Sequence, residues 1–382
     1  PTGGAVLLIA AGSSGVVNRF VLASRPMVWI GLISYPLYLW HWPLIATARI
    51  HQFGPIPQSW KWPMLLISVA LSYACYRWVE LPMRGIPVAN GKARRFVIGG
   101  IAVSLALAAA GAALWQGLIA GRLDGVEAVS MRYSPAHQYG CNLDGGFGQS
   151  VNTDRLAECA ALRHPGAKTV VVIGDSHSHS LFQGIAPVLE QRGINAINLA
   201  VTYCTPLSLH DIRKACTEYN TEIERTIGRL RPDLVIIAAN YIMWPSDRSY
   251  RETSDMAAFI SDRAAQLVST GAKSVLIIDQ IPTWETSLPA VLNSRFIRQQ
   301  RPLPERTFEG VVTTSLEFDA HMKSIPLVPQ VSLFSLRDAL CKASGCLTRL
   351  GDELPRELVV FDYGHLTEAG ARHVMAVGLE KA

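Results

Sequence analysis

Charged side chains are scarce in this sequence, and acidic ones are almost missing from its first third. Only 17% of the 382 residues are charged, whereas 49% are hydrophobic. Residues 1–120 hold one acid, Glu80, against nine lysines and arginines. This composition excludes a disordered protein and argues against an ordinary soluble enzyme. Because the positive balance is confined to the first third, it gives no support to nucleic-acid binding.

The sequence also lacks the short cysteine and histidine spacings that are typical of zinc sites. No Cys-x-x-Cys pair occurs, and we expect no metal site. Six of the seven cysteines lie beyond residue 120, and an even number favours disulfides in an oxidising compartment over buried thiols. Among the possible connectivities we prefer pairing in sequence order, which gives Cys141–Cys159, Cys204–Cys216 and Cys341–Cys346.

Long apolar runs are present, and all of them precede residue 120. Each approaches the roughly 20 residues that a helix needs to cross a bilayer. They cover residues 4–17, 28–48, 63–79 and 96–119. Basic residues crowd the first and third loops between them, so the positive-inside rule places those loops in the cytoplasm and everything after residue 121 outside. The first run lacks the basic start and cleavage site of a signal peptide, so we expect more of a membrane domain to precede residue 1.

Beyond the membrane part, residues 121–150 are expected to be a linker and residues 151–382 a folded domain. Short apolar runs alternate there with helical periodicity. Strands are predicted at residues 169–174, 194–200, 234–239 and 274–279, and helices at residues 178–192, 217–230, 253–270 and 367–379. This alternation predicts an α/β sandwich with a mainly parallel sheet. Prolines in residues 282–329 suggest an insertion over the rim of the sheet.

Ser176 stands where the first predicted strand gives way to a helix. In open α/β folds, ligands bind at the carboxyl ends of the strands, and helix N-terminal N–H groups there favour negative charge. Such a serine can act as a nucleophile if a base takes its proton. A helix N-cap is the structural alternative for Ser176 taken alone.

The base is predicted near the other end of the chain. Asp362 precedes His365 by three residues within a loop, a spacing that lets the carboxylate orient the imidazole. Both motifs fall at loop-to-helix junctions, which gather on one edge of a parallel sheet. We therefore predict a catalytic triad of Ser176, His365 and Asp362.

These residues carry a resemblance to known families. Gly174-Asp-Ser-His177 and Asp362-Tyr-Gly-His365 resemble the first and last blocks of the SGNH (GDSL-like) hydrolase family, a resemblance that covers roughly residues 151–382. Gly31–Pro43 and Val79–Arg84 resemble the final helices of the acyltransferase-3 membrane family. Together they resemble fused membrane acyltransferases that O-acetylate bacterial surface polysaccharides such as O-antigen and lipopolysaccharide.

The resemblance implies a three-layer SGNH-like sandwich in the periplasm, attached to a multi-pass part in the bacterial inner membrane. It implies an acyl group taken from a cytoplasmic donor, with acetyl-CoA expected. The acyl group would pass through the membrane part and reach a sugar hydroxyl of a polysaccharide or lipid-linked glycan. We expect no cofactor to be bound by this part of the protein.

Two departures from the family pattern affect the expected oxyanion hole. Residues 198–204 contain no glycine for the second block, and Asn240 follows Ala238-Ala239 rather than a glycine. We assign the oxyanion hole to the Ser176 backbone N–H and the Asn240 amide. Tyr241 and Trp244 are candidates for stacking against a sugar ring, with core packing as the alternative.

Three functions stay open on these grounds. The first is O-acyl transfer through an acyl-serine, and the second is an O-acetyl esterase that uses the same triad. The third is a membrane-tethered glycan-binding domain without turnover. Attachment to an acyltransferase-like membrane part favours transfer.

Overall fold

The computed structural model describes residues 2–52, 56, 58–84, 91–115, 152–202, 204, 214–242, 253–297, 299–354 and 356–378. The chain divides into two compact units, Pro1–Arg122 and Leu123–Ala382. The predicted linker, residues 121–150, lies outside the described residues.

The N-terminal unit is helical. Its helices are α1 (Thr2–Ala11), α2 (Arg25–Gln52), α3 (Gln58–Cys75), α4 (Leu81–Arg84) and α5 (Gly91–Trp115). A π-helical turn at Tyr76–Glu80 joins α3 to α4. Among the described residues, one helical stretch, Gln58–Arg84, is long and apolar enough to cross a bilayer. The four crossings therefore stay a prediction.

Apolar side chains cover much of the outside of this unit. Large residues are well exposed, among them Leu66 at 68% and Trp78 at 75%. Inside, the hydroxyls of Ser68 and Ser72 are buried and donate to the carbonyls of Met64 and Ser68 one turn earlier. Glu80 and Arg84, four residues apart, form a local ion pair.

The described residues of the C-terminal unit form eight strands and a second set of helices. The strands are β1 (Thr169–Gly174), β2 (Asn195–Asn198), β3 (Leu234–Ala238), β4 (Val275–Ile278), β5 (Arg306–Thr307), β6 (Val331–Phe334), β7 (Cys341–Lys342) and β8 (Gly345–Leu347). The helices are α6 (Thr153–Cys159), α7 (Ser176–Gln191), α8 (Lys214–Leu230), α9 (Thr253–Thr270), α10 (Leu288–Leu292), α11 (Thr313–Ser324), α12 (Leu336–Leu340) and α13 (Glu368–Val377).

Five strands form the central sheet in the order β2-β1-β3-β4-β6, and every neighbouring pair is parallel. Because side chains alternate along a strand, Val171 and Ile173 enter one core while Val170 and Val172 enter the other. The first core includes residues of α8, α9 and α11, and the second includes residues of α7 and α13. The α/β sandwich with a parallel sheet is thus confirmed, with a helical layer on each face.

The segment predicted as a rim insertion, residues 282–329, is instead part of the fold. It provides α10 and α11, and it leads into β6, which pairs with β4. Phe318 and Met322 of α11 are fully buried in the first core. The segment is therefore a crossover connection between two parallel strands, and burial of its apolar residues is what holds it to the sheet.

Two of the predicted disulfides, Cys204–Cys216 and Cys341–Cys346, are present. The second joins residues that pair across the β7–β8 hairpin. Cys159 is also disulfide-bonded, whereas Cys141 lies outside the described residues. Among the described cysteines, Cys75 is the free one.

Candidate active site

The turn after β1 is shaped by a glycine that no other residue can replace without strain. Gly174 has a φ of +152°, and a Cβ there would lie 1.7 Å from the Ala238 carbonyl oxygen of the neighbouring strand. The lack of a side chain lets β1 and β3 stay paired to their last residues, Gly174 and Ala238. The chain can then turn sharply into α7, whose first residue is Ser176.

Asp175 joins the two strand ends that form the site. As N-cap of α7, it accepts a hydrogen bond from the His177 backbone N–H at 2.8 Å. Its other carboxylate oxygen accepts from the Asn240 backbone N–H at 2.9 Å. Asp175 therefore holds the turn.

The two distant motifs meet at this edge of the sheet. His365 Nε2 lies 2.7 Å from Ser176 Oγ, although 189 residues separate them. On the other side of the ring, His365 Nδ1 lies 2.6 Å from Asp362 Oδ2. Serine, histidine and aspartate are thus hydrogen-bonded in the order that a nucleophile, a base and an orienting carboxylate require.

The Asp362 carboxylate is stabilised in its charged form. Burial raises its pKa, but the His365 side chain and the backbone N–H groups of Gly364 and His365 outweigh this effect, and the net pKa is lowered. Those N–H groups donate to Oδ1 at 2.9 and 2.8 Å. Since Oδ1 is occupied by the backbone, Oδ2 is left to orient the imidazole.

The loop that carries Asp362 and His365 is held by backbone hydrogen bonds from the segment 282–329, which the sequence analysis placed over the rim of the sheet. The Trp284 N–H donates to the Tyr363 carbonyl at 2.8 Å, and the Leu288 N–H donates to the Asp362 carbonyl at 2.9 Å. Trp284 is itself buried and forms a β-bridge with Val311. No side-chain motif marks such backbone contacts, so they could not be predicted from the sequence.

Asn240 is placed on the side of the sheet that carries α7. Along the chain, Ile236 and Ala238 belong to the core that contains α7, and Asn240 follows them with the same alternation. Its side chain is 1% exposed, and within the described part of the chain neither amide atom has a hydrogen-bond partner. A buried amide of this kind has donors to offer to a charge formed at the site.

Tyr241 is not available to a substrate, contrary to the expectation. It is fully buried, its hydroxyl donates to the Ile278 carbonyl at 3.0 Å, and its ring stacks on Phe318. Burial raises the pKa of its hydroxyl well above the ordinary value. The alternation of Ile237, Ala239 and Tyr241 into one core was the signal for this placement. Trp244 lies outside the described residues.

The neighbouring histidines do not form a metal site. His177 Nε2 lies 3.2 Å from the Tyr363 hydroxyl, whereas His179 Nδ1 lies 2.8 Å from the Asn198 amide nitrogen. Among the described residues, no group of three or more histidine, cysteine, aspartate and glutamate side chains is arranged to hold a metal ion. The His177 ring instead stacks on the His365 ring, a contact that the sequence analysis missed.

The described arginines between residues 295 and 306 have local partners for their charged groups. Arg295 pairs with Glu285 and Arg301 pairs with Glu309, each at 2.6 Å. Arg306 donates to the Leu340 carbonyl. These contacts agree with a solvated loop rather than with an anion-binding patch.

Comparisons with known proteins bear on the same region. A family model described as "SGNH domain (fused to AT3 domains)" matches residues 141–378, more than half of the chain. O-acetyltransferase OatA of Staphylococcus aureus is 32% identical over 80 residues, which are 21% of this chain and 13% of OatA. The chain thus matches only a small part of that relative.

A solved structure shares the fold. The "lipopolysaccharide acetyltransferase periplasmic domain" of Salmonella ser. Paratyphi A superposes with a TM-score of 0.52 at 21% identity, over 61% of this chain and 89% of that one. On the strength of the family match, this chain belongs to the SGNH domain family that is fused to AT3 domains.

Proposed function

We propose that the chain is part of an O-acyltransferase that places an acetyl group on a sugar hydroxyl of a bacterial surface glycan. The observation that carries the proposal is the hydrogen-bonded series of Ser176, His365 and Asp362 at the carboxyl edge of the sheet. The names of the relatives, an O-acetyltransferase and a lipopolysaccharide acetyltransferase domain, support acetyl as the group and a glycan as the acceptor.

The geometry is suited to two successive displacements at one carbonyl carbon. Ser176 Oγ attacks the acyl carbon while His365 Nε2 takes the hydroxyl proton, and Asp362 stabilises the resulting imidazolium. The tetrahedral oxyanion receives hydrogen bonds from the Ser176 backbone N–H and the Asn240 amide. As the carbonyl reforms, the bond to the leaving group breaks and His365 returns the proton to that group. This step leaves an acyl-serine.

The second displacement releases the acyl group to the acceptor. His365 takes the proton of a sugar hydroxyl as that oxygen attacks the acyl-serine. The collapse of the second tetrahedral species then returns the proton to Ser176 Oγ and gives the sugar ester. If water entered in place of the sugar, the same residues would give acetate, so the partition between acceptors separates a transferase from an esterase.

We propose further that the acyl group originates from cytoplasmic acetyl-CoA and reaches this domain through a multi-pass membrane part. The apolar exterior of the N-terminal unit supports membrane attachment. The disulfides of the C-terminal unit support its placement in the periplasm, since disulfides persist in oxidising compartments.

The first test compares the chain with its Ser176→Ala and His365→Ala variants. An activated acetyl ester serves as donor and an oligosaccharide as acceptor, and mass spectrometry measures acetylated sugar and free acetate. Loss of the nucleophile or base is expected to lower turnover by about 10³-fold or more, because triad members act as a unit. Ser269→Ala, a change at an exposed serine of α9, is the matched control.

The outcomes separate the three candidate functions. Acetylated sugar in excess of acetate supports transfer, and rapid formation of acetate alone supports the esterase. A chain that turns over no ester and is not labelled at Ser176 by a serine-directed phosphonate is a binding domain, and the proposal is then wrong.

A further inference from the structure

We infer that His177 is a positioning residue, whose ring serves as a platform that holds His365 in register with Ser176. The inference rests on the proposed function, since it concerns the same site. Its basis is a stacked pair of rings: the centroids of His177 and His365 lie 4.2 Å apart, and the ring planes are inclined by 24°.

The platform connects the two halves of the site. His177 follows Ser176 directly in α7, so the position of its ring is tied to that of the nucleophile. The ring packs on a loop 188 positions further along the chain, where His365 must be held at 2.7 Å from Ser176 Oγ. The stacked pair thus links the helix that carries Ser176 to the loop that carries His365, beside the hydrogen bond from the Leu366 N–H to Ser180 Oγ.

His177 is itself held in place by that loop. Its Nε2 lies within hydrogen-bond distance of the Tyr363 hydroxyl, and its ring meets the Tyr363 ring edge-on at 5.5 Å. A Cβ at residue 364 would lie 3.0 Å from His177 Cε1, so Gly364 leaves the room that the ring occupies. These contacts leave the imidazole little freedom to turn.

A second ring also packs against His365. The Phe361 ring stacks on it with the ring centroids 5.6 Å apart and the ring planes inclined by 19°. Two stacked neighbours restrict rotation of the imidazole, while Asp362 selects the nitrogen that faces the serine. Together they place Nε2 more tightly than the Asp362 hydrogen bond alone would.

The charge state of His177 is compatible with this role. Burial lowers the pKa of His177 well below the ordinary value, and the adjacent His365 lowers it further, against the opposing effect of Asp362. The other titratable groups around it are Asp175, which caps its helix, Tyr363, and Asp279, which lines the same small cavity. A neutral platform adds no like charge when His365 takes the serine proton.

The test compares two substitutions of His177, one that removes the ring and one that keeps a flat ring. His177→Ala removes the platform, and we expect kcat to fall about 10- to 100-fold with KM changed less than about twofold, as for a misplaced catalytic group. His177→Phe keeps a flat neutral ring, and we expect it to restore most of the lost kcat. His164→Ala, at an exposed histidine of the loop before β1, is the matched control.

A second readout does not depend on turnover. In ¹H NMR of the same variants, the proton shared by His365 Nδ1 and Asp362 is expected to give a resolved low-field signal in the unchanged chain and in His177→Phe. It is expected to broaden or disappear in His177→Ala, because the released ring exchanges that proton with solvent. Circular dichroism checks that each variant is folded.

Two results would overturn the inference. One is a His177→Ala variant with unchanged kcat and an unchanged low-field signal. The other is a His177→Phe variant as impaired as His177→Ala in both readouts, which would assign the effect to the nitrogens. Failure of the proposed function is distinct from both, because the unchanged chain would then be as inactive as Ser176→Ala while the NMR comparison still decides the role of His177.

Discussion

At the scale of single residues, the geometry of the site depends on positions that do not tolerate a larger side chain or the loss of a hydrogen-bonding group. Gly174 allows β1 to stay paired with β3 up to the turn that presents Ser176. Asp175 then ties that turn to Asn240. The sequence motif around Ser176 therefore encodes a backbone shape as well as the hydroxyl that the proposed function uses as a nucleophile.

Replacement of Gly174 by alanine is expected to be strongly destabilising. The new Cβ would overlap the Ala238 carbonyl oxygen, and the backbone holds a positive φ, so we expect a loss of about 3 kcal/mol or more in the free energy of unfolding. Urea titration of the variant and the unchanged chain measures this loss. Gly228→Ala in α8 is the control, since a Cβ there would lie 3.4 Å from its nearest neighbour. Equal midpoints for the two variants would contradict the steric argument.

A second residue-scale prediction concerns Asp279, which follows β4. Burial raises its pKa well above the ordinary value, and the neighbouring Asp319 carboxylate raises it further. A group with a raised pKa in the folded state contributes stability at low pH, and this contribution is lost as the pH rises through the folded-state pKa.

Asp279→Asn copies the neutral form of that side chain and keeps an oxygen for the Leu336 N–H. We therefore expect the variant to gain stability relative to the unchanged chain as the pH is raised. Melting temperatures of the two proteins, measured across a range of pH, check this difference in stability. Asp338→Asn, at an exposed carboxylate, is the control, and a difference that shrinks with rising pH would refute the assignment.

The triad was predictable because its residue types stand at element ends that a parallel sheet brings together. The position of Tyr241 next to Asn240 in the sequence suggests proximity to a substrate, with core packing as the alternative. The alternation of β3 continues beyond its last residue, Ala238, so Tyr241 enters the same core as Ile237 and Ala239. The role of His177 could not be predicted, since stacking depends on the path of a distant loop.

At the scale of elements, the predicted strands and helices match where apolar periodicity is strong. The apolar run before Ser176 became β1, and the helix predicted at residues 253–270 became α9 (Thr253–Thr270). The crossover at residues 282–329 was missed because α10 has five residues, too few to show a period. Yet Trp284 and Leu288, just before α10 and at its first residue, supply the N–H groups that hold the loop of Asp362 and Tyr363.

The two described disulfides allow a prediction at this scale. Cys204–Cys216 closes a separation of 12 residues and Cys341–Cys346 one of 5. Because a longer loop restricts the unfolded chain more, we expect serine replacement of the first pair to cost about 3 kcal/mol and of the second about 2 kcal/mol. Chemical denaturation of the paired variants measures this, with Cys75→Ser as control, and melting temperatures unaffected by reductant would count against both bridges.

At the scale of the whole molecule, the order of the chain has a consequence for biosynthesis. Ser176 lies near the start of the C-terminal unit, whereas His365 lies just before α13, 189 residues later. Domains fold progressively as the polypeptide emerges. Under the proposed function, a chain that has emerged only as far as α7 would therefore carry Ser176 without its base, and the serine could react only after residue 365 had emerged and folded against it.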